Sequence, residues 1–129
     1  MTQSPNRPDE RVHDGERPTL AVCAACGDGA GQRLLERIRV GCEGVLAGRP
    51  VPCFAVCDRP VTVAFISAGK WSYLIGEVDP DIALSELVEA ADAVGASASG
   101  IPPLRNRPPF FRRGVIARLP PVADLESFE

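Results

Sequence analysis

Two pairs of cysteines constrain this chain more than any other feature of its sequence. Cys23 and Cys26 have two residues between them, Cys53 and Cys57 have three, and 26 residues separate the two pairs. The first pair follows a short apolar segment that suits a buried strand, and Cys53 lies near the end of a second short segment that is expected to be extended. The total of five cysteines is odd, which does not indicate a disulfide framework. The cysteines therefore favour metal binding or thiol chemistry.

The rest of the composition is that of one globular domain. Of 129 residues, 45% are hydrophobic and 24% are charged, and the net charge of -3 gives no general attraction to nucleic acid. No segment approaches the roughly 20 apolar residues that span a bilayer, and residues 1–17 lack the apolar core of a signal peptide. We therefore expect a cytoplasmic protein, in a compartment that disfavours disulfides, without nucleic-acid or membrane partners.

The chain divides by composition into three segments. Residues 1–17 are rich in Pro, Arg, Asp and Glu and predict a disordered tail, which contains the single histidine, His13. Residues 18–100 form the predicted domain, and residues 101–129 a Pro/Arg-rich extension. Residues 77–92 contain six acids, and residues 101–119 contain five arginines. Phe110 and Phe111 require burial. We expect the extension to pack on the acidic helix; a basic docking surface for a partner is the alternative.

Hydrophobic periodicity predicts an α/β fold. Strands are expected at residues 19–22, 50–54, 61–66 and 71–75, with the last two in a hairpin. Helices are expected from Gln32 to about residue 47 and, with Asp79 as N-cap, from Pro80 to about Val94. This order predicts a thioredoxin-like fold with a mixed four-stranded sheet and two main helices. In such a sheet the first two strands are parallel, so the segments that follow them meet at one edge.

This placement predicts a metal site formed by Cys23, Cys26, Cys53 and Cys57. Cys42 lies on the apolar stripe of the first helix, where a free cysteine commonly serves as a small buried hydrophobe. Four thiolates suit either tetrahedral zinc or an iron-sulfur cluster. The three-residue gap between Cys53 and Cys57 favours a cluster, because the longer loop leaves room for backbone N–H groups that hydrogen-bond to sulfur.

Thiol-disulfide exchange by Cys23 and Cys26 is a third interpretation, since a strand followed by C-x2-C is typical of it. Pro60 stands before the third strand, where thioredoxins carry a cis proline. Against it, glycines at residues 27, 29 and 31 displace the helix N-terminus that would activate a thiol. This glycine-rich loop also lacks a phosphate-binding pattern. Trp71 and Tyr73 are interpreted as packing residues and Lys70 as a solvated turn residue, and no catalytic residue is predicted.

Four motifs in order resemble the DUF1636 family, which is described as predicted metal-binding proteins. The motifs are residues 22–26, 53–64, 69–73 and 113–118, and the resemblance covers about residues 19–121. More distantly, the layout is similar to the thioredoxin-like [2Fe-2S] ferredoxins. Many family members have a further cysteine where this chain has Val61, and those ferredoxins place their first two cysteines farther apart.

The resemblance implies a metal or cluster site on Cys23, Cys26, Cys53 and Cys57, and members often lie beside cobalamin-biosynthesis genes. We therefore expect a small [2Fe-2S] protein that passes single electrons to a redox partner protein, such as an enzyme of cobalamin or metal metabolism. The alternatives are a zinc-binding structural or metal-delivery protein and a CxxC thiol-disulfide oxidoreductase. The sequence leaves the oligomeric state open.

Overall fold

The chain folds around a five-stranded mixed β-sheet, and the computed structural model describes residues 17–126. The strands are β1 (Thr19–Cys23), β2 (Gly48–Val51), β3 (Val63–Ile66), β4 (Ser72–Ile75) and β5 (Val115–Leu119). The helices are α1 (Ala30–Gly41), α2 (Leu84–Ala96), α3 (Phe110–Arg113) and α4 (Val122–Leu125), with 3-10 turns at Cys26–Gly29 and Leu104–Asn106. The predicted disordered tail, apart from Arg17, lies outside the described residues, as does His13.

The strand order is β2-β1-β3-β4-β5. β1 and β2 are parallel, as predicted, and α1 provides the long connection that parallel neighbours require. β3 and β4 form the predicted antiparallel hairpin. The expected sheet of four strands was wrong in number, because residues 115–119 of the C-terminal extension pair with β4 as a fifth strand. The protein is therefore a mixed α/β fold with two long helices.

The interior strand β1 passes through the hydrophobic core. Leu20 and Val22 of β1 are fully buried, and Leu34 and Ile38 of α1 pack in the same core cluster. Within residues 17–126, no helix has the length and apolar content needed to cross a membrane. The core is therefore that of a sheet covered by amphipathic helices.

Both long helices differ from the prediction at their ends. α1 ends at Gly41, and Cys42 is its C-cap, so the predicted continuation toward residue 47 was wrong. α2 begins at Leu84 instead of Pro80, and its N-cap is Ala83 instead of Asp79. The Asp79 carboxylate accepts the N–H of Asp81 at 2.9 Å, and the Asp79 carbonyl accepts the N–H of Ile82. Asp79 thus closes a separate turn before the helix, because Asp side chains bond to nearby backbone in turns as readily as at helix starts.

Lys70 is buried, which corrects its interpretation as a solvated turn residue. Its residue surface is only 3% exposed, and its Nζ donates a hydrogen bond to the carbonyl of Gly95 at 3.0 Å. Gly95 lies in the last turn of α2, where carbonyls lack partners within the helix and a cation is favourable. Lys70 therefore ties the β3–β4 turn to the end of α2.

The C-terminal extension is held by aromatic packing and by β5. Phe111 is fully buried, and its ring lies 4.9 Å from that of Tyr73, edge to face. Arg107 donates to the Tyr73 hydroxyl at 3.1 Å and stacks over the same ring, while Arg118 stacks over Trp71. Arg113 lines the same cavity as four acids of the predicted acidic segment: Glu77, Asp79, Asp81 and Glu86. Arg107 and Arg118 thus stack on aromatic rings, whereas Arg113 lies near acids.

Candidate functional site

The two cysteine pairs lie at the same edge of the sheet. Cys23 is the last residue of β1 and stands opposite Val51, the last residue of β2. Just beyond, the N–H of Ala24 donates to the carbonyl of Val51 at 2.8 Å. Cys53 follows Val51 by two residues, in the segment that leads to β3. The parallel pairing of β1 and β2 therefore brings both cysteine segments together, as the sequence predicted.

A close contact between helix α1 and strand β1 covers the first pair. A Cβ on Gly31 would lie only 2.0 Å from the carbonyl oxygen of Cys23, so only glycine fits there. The turn before α1 requires left-handed backbone at Gly27 and Gly29. These glycines are therefore explained by the close approach of α1 to the cysteines, without any need for phosphate binding.

Cys23 and Cys26 are both buried and interact with each other. Cys23 is 2% exposed and Cys26 is 4% exposed. The pKa of Cys23 lies below its ordinary value: burial, the largest single influence, opposes ionisation, but hydrogen bonds together outweigh it. The donors to the Cys23 sulfur are the Cys26 thiol and the backbone N–H groups of Phe54, Ala25 and Cys26. The hydrogen bonds thus favour the ionised form of Cys23 more than burial disfavours it.

Thr62 completes the surroundings of Cys26, and the sequence analysis did not identify it. Thr62 is fully buried, its hydroxyl donates to the carbonyl of Arg59 at 3.2 Å, and the Cys26 thiol lies 3.8 Å from that hydroxyl. Burial and the neighbouring Cys23 raise the pKa of Cys26, and the contacts with Thr62 only partly offset this. A threonine between two valines has the pattern of an ordinary strand residue, so the sequence carries no signal for this role.

Cys53 and Cys57 form an exposed pair in the segment between β2 and β3. Their Sγ atoms lie 3.9 Å apart, and the N–H of Ala55 donates to Cys53 Sγ at 3.1 Å. Ala55 has a left-handed backbone, with φ 65°, which turns the chain between the two cysteines. The pKa of Cys57 is raised, first by its hydrogen bond with Cys53 and then by the charge on Cys53. The two thiols are therefore in contact but not bonded.

The two pairs are coupled across the sheet edge. The backbone N–H of Phe54, beside Cys53, reaches the sulfur of Cys23. Negative charge on Cys23 and Cys26 contributes to the raised pKa of Cys57. Within residues 17–126, however, no group of three or more His, Cys, Asp or Glu side chains is arranged to hold a metal ion. The structure thus shows two adjacent dithiols, and a common metal site on all four remains a prediction.

The remaining candidates lie elsewhere. Cys42 is 2% exposed at the end of α1, which confirms the predicted burial. Burial raises the pKa of Cys42 above its ordinary value, and the charge of Arg37 only partly opposes this. In the part of the chain that the structure describes, the cis peptide bond is the one between Pro60 and Val61. Thioredoxins carry theirs before the proline, so the expected cis bond between Arg59 and Pro60 is not present there.

Fold and site together define a small α/β protein with two dithiols at the carboxyl edge of its parallel strand pair. The chain belongs to the DUF1636 family, whose description is "Protein of unknown function", with residues 20–121 matched. Comparisons with curated proteins and with solved structures found no match.

Proposed function

We propose that Cys23, Cys26, Cys53 and Cys57 bind one [2Fe-2S] cluster and that the protein carries single electrons. The observation that carries the proposal is the set of N–H groups directed at sulfur in both pairs: Phe54, Ala25 and Cys26 for Cys23, and Ala55 for Cys53. Hydrogen bonds to ligand sulfurs stabilise thiolates and set the potential of iron-sulfur sites. The four thiols fit such a cluster as a donor set, since all are soft ligands.

The strand order supports a thioredoxin-like interpretation of the fold. The predicted parallel pair, connected by α1, is part of the strand order β2-β1-β3-β4, and β5 extends this sheet. In this arrangement the cysteine edge is free of helical cover at Cys53 and Cys57, which are exposed. A cluster there would exchange single electrons with a partner that contacts the exposed edge, while Cys23 and Cys26 anchor it in the core.

Each chain element has a separate part in this proposal. α1 and Gly31 exclude water from Cys23, and Thr62 positions Cys26. Ala55 directs its N–H to Cys53 and turns the loop so that Cys57 lies beside it. Because the described structure holds the pairs as two dithiols, binding requires the exposed loop to close toward Cys23 and Cys26. For the partner, the family resemblance suggests a redox enzyme of cobalamin or metal metabolism.

Anaerobic reconstitution with iron and sulfide tests the proposal. We expect a red-brown protein with iron and sulfide in equal amounts, and loss of the visible absorption in Cys23→Ser and in Cys57→Ser. Cys42→Ser is the matched control, because it changes a cysteine outside the site, and it should keep the colour. A colourless protein after reconstitution, or equal colour in all three variants, would refute a four-cysteine cluster.

Zinc binding is the second candidate, and the burial of one pair favours it. Cys23 and Cys26 belong to the hydrophobic core cluster, so a metal held by them would be coupled to folding. For a structural zinc we expect stoichiometric metal in the purified protein and unfolding on chelation. The third interpretation, disulfide exchange by Cys23 and Cys26, is disfavoured because both thiols are buried beneath α1, and a substrate disulfide must reach the attacking sulfur.

A further inference from the structure

The exposed cysteine pair differs from the other cysteines in its access to solvent. Cys53 and Cys57 are exposed, whereas Cys23, Cys26 and Cys42 are buried. Thiol-disulfide exchange needs an in-line approach to sulfur, so access decides which thiols can react. The sequence favoured the C-x2-C pair for this chemistry, and the burial pattern favours the C-x3-C pair instead.

The geometry of the exposed pair permits a disulfide. The Sγ atoms are 3.9 Å apart and would have to approach to about 2.0 Å for a bond. The loop is fixed at both flanks, since the N–H of Ala24 holds the carbonyl of Val51 and the N–H of Cys23 holds the carbonyl of Thr62. Between these flanks Phe54 packs on the core, while both cysteines remain outside. Closing the bond is therefore a change within this exposed loop and leaves the sheet in place.

The expected disulfide would be readily reversible. A bond that closes so short a loop removes little entropy from the unfolded chain, so it adds little stability. Exposed disulfides are also the ones that thiols reduce most easily. The disulfide would thus form in oxidising surroundings and be reduced when the ratio of small thiols to small disulfides rises.

We propose that Cys53 and Cys57 form a reversible dithiol–disulfide switch that exchanges with low-molecular-weight disulfides. One cysteine thiolate attacks the small disulfide, forms a mixed disulfide and releases one small thiol. The second cysteine then attacks the protein sulfur of the mixed disulfide and releases the other. In total, two cysteine thiols lose two protons and two electrons, and one small disulfide becomes two small thiols.

The switch has a consequence for metal loading that rests on the proposed four-cysteine site. In the oxidised form, two of the four thiolates are tied to each other, and only Cys23 and Cys26 remain as ligands. Loading would then be possible only under reducing conditions. The formation of the disulfide itself depends on the exposure and proximity of Cys53 and Cys57 and not on any metal.

Oxidised glutathione is the probe for the switch. Metal-free protein is incubated with it, free thiols are alkylated under denaturing conditions, and chymotrypsin cleaves after Phe54, between the two cysteines. In reduced protein Cys53 and Cys57 then lie on separate peptides, whereas the disulfide keeps these peptides joined. We expect joined peptides that separate on reduction, formed roughly tenfold faster than any Cys23–Cys26 disulfide because of the difference in access.

Three variants serve as controls. The joined peptides should persist in Cys42→Ala, which removes another cysteine on the amino-terminal side of the cleavage. They should vanish in Cys57→Ser, where glutathione stays on Cys53 as a mixed disulfide, and in Cys53→Ser. Alkylated Cys53 and Cys57 in the wild type after incubation, or a Cys23–Cys26 disulfide in their place, would overturn the switch.

Zinc binding tests the switch and the four-cysteine site separately. Reduced protein should bind the ion, and oxidised protein should bind it about 100-fold more weakly or worse, because two thiolates are lost. Equal zinc affinity of the reduced and the oxidised protein would show that the disulfide does not control metal loading. If the disulfide forms but reduced protein binds neither zinc nor a reconstituted cluster, the four-cysteine site fails and the switch stands.

Discussion

The two cysteine pairs have similar spacing in the sequence and opposite surroundings in the structure. Cys23 ends β1, Cys26 begins the turn that leads into α1, and both belong to the core, whereas Cys53 and Cys57 follow the edge strand β2 and are exposed. The spacing of cysteines therefore does not determine their chemistry. Helix α1 packs on both β1 and β2, so the difference lies in the segments that follow the strands. Cys26 begins the turn that leads into α1, whereas Cys53 and Cys57 lie in the exposed segment between β2 and β3.

The buried pair should depend on the packing of α1, and Gly31→Ala tests this with the largest expected effect. A Cβ at Gly31 would meet the backbone oxygen of Cys23 at 2.0 Å, so helix and strand must separate. We expect a loss of about 3 kcal/mol in the free energy of unfolding, as for other overpacked sites. Denaturant unfolding of the reduced, metal-free protein measures it, together with faster alkylation of Cys23.

Gly41→Ala is the matched control, because it makes the same substitution at the other end of α1. Its Cβ would meet only Leu84 Cδ1, the end of a flexible side chain, at 2.3 Å. The better helix propensity of alanine, about 1 kcal/mol, would offset much of that contact. Similar losses in the two variants would contradict a specific role for the α1–β1 contact at Cys23.

The second prediction compares serine substitutions in the two pairs. Cys23→Ser replaces a buried sulfur by a smaller, more polar hydroxyl; the donors at Cys23 offset part of its desolvation, and the change should cost about 1 to 2 kcal/mol of unfolding free energy in the metal-free protein. Cys53→Ser changes an exposed side chain and should stay within about 0.5 kcal/mol. Both are measured by denaturant unfolding under reducing conditions. Equal losses would mean that the exposed loop contributes as much to folding as the buried pair.

The sequence predicts much of the fold that carries the two pairs, but it does not predict the contacts that bury one pair and leave the other exposed. Periodicity predicted the parallel pairing of β1 with β2, the β3–β4 hairpin and the burial of Cys42. It did not predict the fifth strand, because residues 115–119 are embedded in a Pro- and Arg-rich segment whose arginine Arg118 stacks on Trp71. Stacking of this kind, like the hydrogen bond of buried Lys70 to Gly95, depends on tertiary contacts that local patterns do not encode.

The candidate site was predictable in its residue types and in its edge of the sheet. The approach of α1 at Gly31 and the contact between Thr62 and Cys26 were not, since both join residues far apart in the chain. In the sequence, Gly31 is compatible either with a flexible loop or with close packing, and only the structure shows that close packing is the reason for it. The unequal burial of the two pairs follows from that packing.

Cys42 provides a reference that separates burial from hydrogen bonding. Cys42 and Cys23 are both 2% exposed, yet the pKa of Cys42 is raised by burial while that of Cys23 is lowered by its hydrogen-bond donors. Burial of a thiol without such donors therefore disfavours the thiolate, and the donors at Cys23 reverse this. The comparison predicts opposite contributions of the two residues to the pH dependence of stability.

The pH dependence at Cys42 is the smallest of the expected effects. Above the ordinary thiol pKa of 9.0 the unfolded chain loses the Cys42 proton, while the folded protein retains it up to its own raised pKa. The folded state then binds more protons, so this residue's contribution to stability is complete below pH 9.0 and falls as the pH rises, by at most about 1.4 kcal/mol per pH unit. Cys42→Ala should remove this part of the alkaline slope and leave the slope below it unchanged. Parallel stability curves for wild type and variant across that range would show that burial alone does not hold the Cys42 proton.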